Sequence, residues 1–252
     1  GTSEAMIVIP HANGDDFWLI THANGAPDYT VTLFTPAGPT TSTTFSGLGL
    51  IEVAANFSYH EATGRIAVSP QEDTRDVEIL TFDPATGALT FQQRILNSGV
   101  LSTSNQAIYD TEFSANGQYL YISVAGEAGI QADVVQYDFN NPLNSLASVL
   151  PDPNTIFRSF GLQVAPDSAI YHLYQASSGG PLLLGRITDI DSVAASVVYE
   201  PQAFAGNINF NGLQFPSFAP QDTVDINLSF VTEGTCANAP TGFFPTVSPG
   251  AD

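Results

Sequence analysis

The chain carries 25 acidic residues against five arginines and no lysine, so carboxylates are by far its most plentiful charged groups. Its close acidic pairs include Asp15 with Asp16, Asp110 with Glu112, and Asp189 with Asp191. Residues two apart on a strand project to the same side, so Asp110 and Glu112 face one way. If that side lines a channel, Gln163, Asn211 and Gln214 join them there as a ligand-binding set. The alternative is structural: both carboxylates cap neighbouring strand ends or accept backbone amides. Asp189 and Asp191 lie in TDIDS (188–192). Calcium takes six to eight oxygens on a flexible loop, and TDIDS is the best loop candidate for it. No pair fits an EF-hand or a Gly-rich nonapeptide. Calcium at that loop excepted, no cofactor is expected.

Other chemistries are excluded by what is missing. There is no G-x-S-x-G elbow for a serine nucleophile. Without lysine there is no phosphate-binding G-x-x-x-x-G-K-[ST]. Five arginines against a net charge of −20 argue against nucleic-acid binding, which depends on cations displacing counterions. No apolar run reaches membrane-span length, so membrane insertion is not expected. One cysteine, Cys236, rules out a disulfide within the chain and a Cys-based zinc site. The four histidines, His11, His22, His60 and His172, read as turn and surface residues rather than ligands converging on one ion. NFS (56–58) and NLS (227–229) fit the glycosylation tripeptide, which is common by chance. Trp18, in the alternating stretch DFWLIT, reads as core.

What must position these groups is a repeat. Only 12% of residues are charged, and apolar residues alternate or cluster in short runs punctuated by 21 Gly and 17 Pro. Four segments share a strand–turn–strand outline: VIPHANGDDFWLI (8–20), SYHEATGRIAVSP (58–70), TEFSANGQYLYIS (111–123) and LQVAPDSAIYHLY (162–174). Their turn positions are Gly14, Gly64, Gly117 and Ser168, spaced 50, 53 and 51 residues apart. LQF (213–215) echoes LQV (162–164) and starts a fifth unit. A period of roughly 40–50 residues holding about four strands is the mark of a β-propeller blade. The expected fold is therefore an all-β propeller over residues 1–235. It has either five blades or the blades of the C-terminal part of a larger ring. Residues 236–252 read as a linker or the start of a following domain.

EAMIVIPHANGDDFWLITH (4–22), YDTEFSANGQYLYIS (109–123), GLQVAPDSAIY (161–171) and GLQFPSF (212–218) resemble the N-terminal propeller-like region of large secreted Bacteroidetes surface proteins. Such proteins continue into PKD-type immunoglobulin-like domains and end in a gliding-motility-associated, type IX secretion sorting domain. CANAPTGFFP (236–245) resembles the opening of a PKD-type domain. The resemblance covers about residues 4–240. It implies an extracellular or cell-surface location, further domains on the same polypeptide and a non-catalytic role in adhesion or surface display. It supplies no catalytic residues.

Two functions follow. One is a binding module whose partner is a carbohydrate or another surface protein, held by rim connections rich in Thr, Ser and Gly such as 38–49 and 175–181. The other is a propeller hydrolase or lyase with a divalent ion in the central channel, for which Asp110 and Glu112 are the candidates. The charge imbalance has its own consequence. Carboxylates at net −20 repel, and salt screens them over about 10 Å at 0.1 M. The melting temperature should rise as sodium chloride is raised from low to molar concentration. A flat or falling curve in calorimetry would count against salt adaptation.

Overall fold

A computed structural model describes residues 1–51, 54–70, 76–95, 108–126, 131–142, 146–152, 155–203, 212–215, 226–233 and 242–249. The chain divides into two compact units, Gly1–Ala219 and Pro220–Asp252, ahead of the boundary at residue 235 drawn from the sequence. Among its described residues the second unit contains an antiparallel hairpin, β17 (Ile226–Glu233) with β18 (Gly242–Pro249), paired from Ile226↔Pro249 to Glu233↔Gly242.

The first unit is a run of β-propeller blades. Each is a four-stranded antiparallel sheet in chain order. Blade 1 holds β1 (Thr2–Pro10), β2 (Phe17–Ala23), β3 (Ala26–Thr35) and β4 (Gly38–Ile51). Blade 2 holds β5 (Ala55–His60), β6 (Arg65–Pro70), β7 (Val77–Asp83) and β8 (Ala88–Ile95). Blade 3 holds β9 (Ile108–Phe113), β10 (Tyr119–Val124), β11 (Asp133–Asp138) and β12 (Ala147–Ser148). Blade 4 holds β13 (Arg158–Val164), β14 (Ile170–Gln175), β15 (Leu182–Thr188) and β16 (Val198–Glu200). The first strands β1, β5, β9 and β13 are neighbours in that order, which makes them the inner strands. Among the described residues no helix is long and apolar enough to cross a membrane.

The repeat seen in the sequence is a repeat of geometry. Gly14, Gly64, Gly117 and Ser168 each lie in the turn between the first and second strand of their blade. All four have positive φ, at 83°, 64°, 68° and 59°. Glycine takes this conformation without strain, and Ser168 takes it at some cost.

Side-chain alternation explains how the blades stack. In β10, Leu120 and Ile122 project into a core shared with Ala67, Ile79 and Val135. Tyr121 projects to the other side, against Leu162, Ile170 and Ile187 of blade 4. Both faces of this strand are buried, so YLYISV reads as a nearly unbroken apolar run. In β2 only Trp18, Ile20 and His22 are buried, facing Ile66, Val68 and Leu80 of blade 2, and the sequence alternates. Each fully buried Leu or Ile contributes roughly 1.5–3 kcal/mol.

One stretch departs from the expectation. Residues 38–49 are not a connection: they lie within β4, a 14-residue edge strand paired with β3. Thr is β-branched and suits a pleated surface, which outweighs the loop-like Thr/Ser/Gly composition here. The ladder is irregular between Ala26 and Asp28 and between Thr32 and Phe34.

Leu120→Ala should lower stability by about 2–5 kcal/mol, because it opens a cavity in a core walled on all sides. Leu19→Ala, on the less buried face of β2, should cost about 1 kcal/mol or less. Urea denaturation of both variants checks the contrast.

Candidate functional site

The inner strands are joined by side chains. Asn56 on β5 donates its Nδ2 to the Tyr109 carbonyl at 2.8 Å, and Ser58 Oγ meets Thr111 Oγ1 at 3.2 Å. From β9 to β13 the carboxylates take over. Asp110 Oδ2 accepts the Leu162 amide at 2.9 Å, and its Oδ1 accepts the Thr111 amide at 2.8 Å. Glu112 repeats the pattern, taking the Val164 amide at 3.2 Å and the Phe113 amide at 2.9 Å. The acid pair thus accepts backbone amides of its own strand and of the next blade, which is the structural alternative read from the sequence.

The fifth echo closes this arrangement. The Gly161 amide donates to the Leu213 carbonyl at 3.0 Å. A Cβ at Gly161 would sit 3.1 Å from both Gln214 Cα and Leu213 O, so glycine is what permits the approach. Gln214 Nε2 then donates to Asn56 Oδ1 at 2.8 Å. Asn56 also hydrogen-bonds Asp110, so Gln214, Asn56 and Asp110 form one connected set.

Of the residues singled out in the sequence, Asp110 and Gln214 come together in this way. Glu112 lies one step along β9. Gln163 is half-buried on β13 and opposite Tyr171 in the ladder. Asn211 lies outside the described residues. Asp189 and Asp191 are elsewhere, in the exposed loop after β15. Asp189 has φ 56° and its carbonyl accepts the Ser192 amide. Asp191 Oδ1 accepts the Asn116 amide at 2.9 Å, tying blade 4 to the first turn of blade 3. Among the described residues, no group of three or more His, Cys, Asp or Glu is placed to hold a metal ion.

Burial sets the electrostatics of the inner layer. It pushes the Asp110 carboxyl up to about 8, against the opposing pull of the Leu162 and Thr111 amides and with help from the neighbouring Glu112 charge. Burial likewise raises Glu112 to about 7. Both carboxyls therefore bind their protons more tightly than free carboxylates do, and their charge in the inner layer depends on pH near neutrality.

Asn56 was legible only as part of the NFS tripeptide, although it sits one repeat upstream of Asp110. The histidines also differ from expectation: His22 and His172 are fully buried rather than superficial. His22 Nδ1 and Nε2 lie 2.7 Å and 2.8 Å from the Ala23 and Gly49 carbonyls. His172 Nε2 lies 2.8 Å from Ser159 Oγ and its Nδ1 3.0 Å from Tyr199 OH. Ser159 Oγ continues to Ser123 Oγ at 2.8 Å, giving a sealed chain across blades 3 and 4. Burial lowers His172 to about 3, which keeps the ring neutral. A buried imidazole is tolerated where both nitrogens find partners.

No family model matches the chain, and neither does any curated protein. Solved structures do. A protein assigned as a 6-phosphogluconolactonase from Bacteroides uniformis aligns with TM-score 0.53 and 16% identity, over 80% of this chain and 53% of that one. One with the same assignment from Bacteroides fragilis gives 0.51 and 14%, over 77% and 52%. The periplasmic gluconolactonase of Pseudomonas aeruginosa gives 0.50 and 12%, over 95% and 64%. This chain spans about half the length of the two Bacteroides proteins. At these identities the likeness shows the fold: four blades of a β-propeller.

The raised carboxyls predict a pH dependence. Unfolded Asp and Glu titrate near 3.9 and 4.3. A group that binds its proton more tightly when folded stabilises fully below its unfolded value, and that contribution is lost as pH rises through its folded value. Stability should therefore fall between about pH 4 and pH 8, by an amount on the order of a few kcal/mol. Asp110→Asn should flatten part of that slope. At pH 5 it should cost about 1–2 kcal/mol, because an amide cannot accept both backbone N–H groups. Denaturant titrations at several pH values check both outcomes.

Proposed function

We propose that this propeller is a non-catalytic binding module of an extracellular or cell-surface multidomain protein. Its ligand is an uncharged carbohydrate or a protein surface, taken up on a rim. The observation that carries this reading is that Asp110 and Glu112, the acid pair suited to chemistry, have all four oxygens engaged with backbone amides. A general acid or base must reach the proton it transfers, and these carboxyls instead hold β9 to β13.

The rim offers what the inner layer does not. Ser177, Ser178 and Gly179, between β14 and β15, are exposed and uncharged. Loops on a rigid scaffold are where binding groups concentrate. With net charge −20 and no lysine, a polyanionic ligand is disfavoured and a neutral polyhydroxylated one is suited. The resemblance to secreted Bacteroidetes surface proteins supports the location, the adhesive role and companion PKD-type domains.

The hydrolase or lyase reading makes opposite demands. On a neutral-glycan array, Ser177→Arg with Ser178→Arg should weaken binding by about tenfold or more, equivalent to roughly 1.4 kcal/mol. Asp110→Asn with Glu112→Gln should leave binding unchanged. A lactone- or glycoside-hydrolysing activity that this second variant loses, together with a bound divalent ion, would overturn the module.

A further inference from the structure

The tetrapeptide His-Ala-Asn-Gly occurs twice, at 11–14 and 22–25, and two further Asn-Gly pairs lie at 116–117 and 211–212, the last with Asn211 outside the described residues. Asn-Gly is the dipeptide in which the backbone nitrogen reaches the preceding side chain most freely, because glycine lacks a Cβ. The two HANG copies have the same neighbours up to the glycine, so a difference in reactivity between them arises mainly from structure.

The three sites whose asparagine is described match at the nucleophile. The amides of Gly14, Gly25 and Gly117 each donate to a carbonyl, those of His11, Ile51 and Ser114, at 3.0, 3.0 and 2.9 Å. They differ at the electrophile. Asn13 Oδ1 accepts the Asp15 and Asp16 amides, both at 3.1 Å, and its Nδ2 donates to Asp16 Oδ2 at 2.9 Å. Asn116 Oδ1 accepts Ser114 Oγ at 2.9 Å and the Gln118 amide at 2.8 Å. Both side chains are fixed and cannot rotate toward the glycine nitrogen without breaking these bonds. Asn24 is exposed in the β2–β3 turn, and its side-chain amide has no hydrogen bond among the described residues.

We propose that Asn24 is a site of spontaneous backbone-assisted deamidation, and that Asn13 and Asn116 are protected by their turns. The Gly25 nitrogen, losing its proton, bonds to Asn24 Cγ. The Cγ–Nδ2 bond breaks, and the nitrogen leaves as ammonia with that proton. Water then opens the five-membered imide at either carbonyl, leaving aspartate or isoaspartate at position 24. No oxidant, reductant or cofactor takes part. The product adds a negative charge to the β2–β3 turn. In the isoaspartate form it also adds a methylene to the main chain between two paired strands.

The test is peptide mapping of the intact chain after incubation in mildly alkaline buffer, with a parallel sample in guanidinium chloride. Chymotrypsin cuts at Phe17 and Trp18, which separates the two HANG peptides, and mass spectrometry reads conversion of amide to acid at each. In the folded protein Asn24 should convert at least about tenfold faster than Asn13 or Asn116, the factor that one or two net hydrogen bonds supply. In denaturant Asn13 and Asn24 should converge. Asp16→Ala, which removes the acceptor holding the Asn13 amide, should speed conversion at Asn13 in the folded state. The proposal is overturned if Asn13 matches Asn24 in the folded protein. It is also overturned if Asn24 stays intact while the denatured sample converts, or if Asp16→Ala leaves Asn13 unchanged.

Discussion

A four-stranded sheet with apolar side chains on both faces cannot persist alone in water, and this constraint organises the chain from Ala5 to Tyr199. Blades 2 and 3 meet the demand by lying between neighbours. Ile66 and Val68 face blade 1 while Ala67 faces blade 3, and β10 divides in the same way. Stability is therefore shared across three seams. A repeat protein held this way behaves as a sum of units and nearest-neighbour contacts. The strand with both faces covered is the one least able to tolerate a cavity.

Polar groups complete what apolar packing begins. At the inner strands the seams are fastened by Asn56, Ser58, Asp110 and Glu112. At the turns they are fastened by the Ala12 amide on the Pro84 carbonyl, His60 on Ala115 and Asn116 on Asp191. Tyr121 adds a buried bond to the Ile190 carbonyl. Placing carboxyls in the inner layer raises their proton affinity, and that couples the fit of blades 3 and 4 to pH. The same engagement removes them from chemistry, which is why the functional reading moves outward to the rim.

Much of the fold was legible because its signals are local and repeated. The turn at Gly14, Gly64, Gly117 and Ser168 recurs at near-constant spacing, and positive φ at each is a requirement that sequence records directly. Strand β4 is hidden in the sequence because Thr, Ser and Gly in an exposed edge look like a connection; only pairing with β3 distinguishes them. The site was half legible. Same-side placement of Asp110 and Glu112 follows from strand geometry alone. Their partners, the Leu162 and Val164 amides, carry no side-chain signature, so channel lining and backbone acceptor look alike in the sequence and differ only in the fold. The burial of His22 and His172 is hidden for a related reason: the Gly49 carbonyl and the Ser159 and Tyr199 hydroxyls that let each imidazole be buried come from other strands of its blade.

The chain has a single tryptophan, and its place matters to anyone watching the molecule by light. Trp18 is buried in the seam between blades 1 and 2, its indole N–H on the Pro84 carbonyl at 2.8 Å and its ring stacked on His11. Intrinsic indole emission is thus a reporter of that seam and is silent about the seams on either side of blade 3. Tyrosines are spread more widely: Tyr29 shares the core of Trp18, Tyr137 lies between blades 2 and 3, and Tyr119, Tyr121, Tyr174 and Tyr199 lie between blades 3 and 4. Indole emission therefore reads one joint while tyrosine absorbance averages over all three, and whether their transitions coincide measures how far the blades act as one cooperative body.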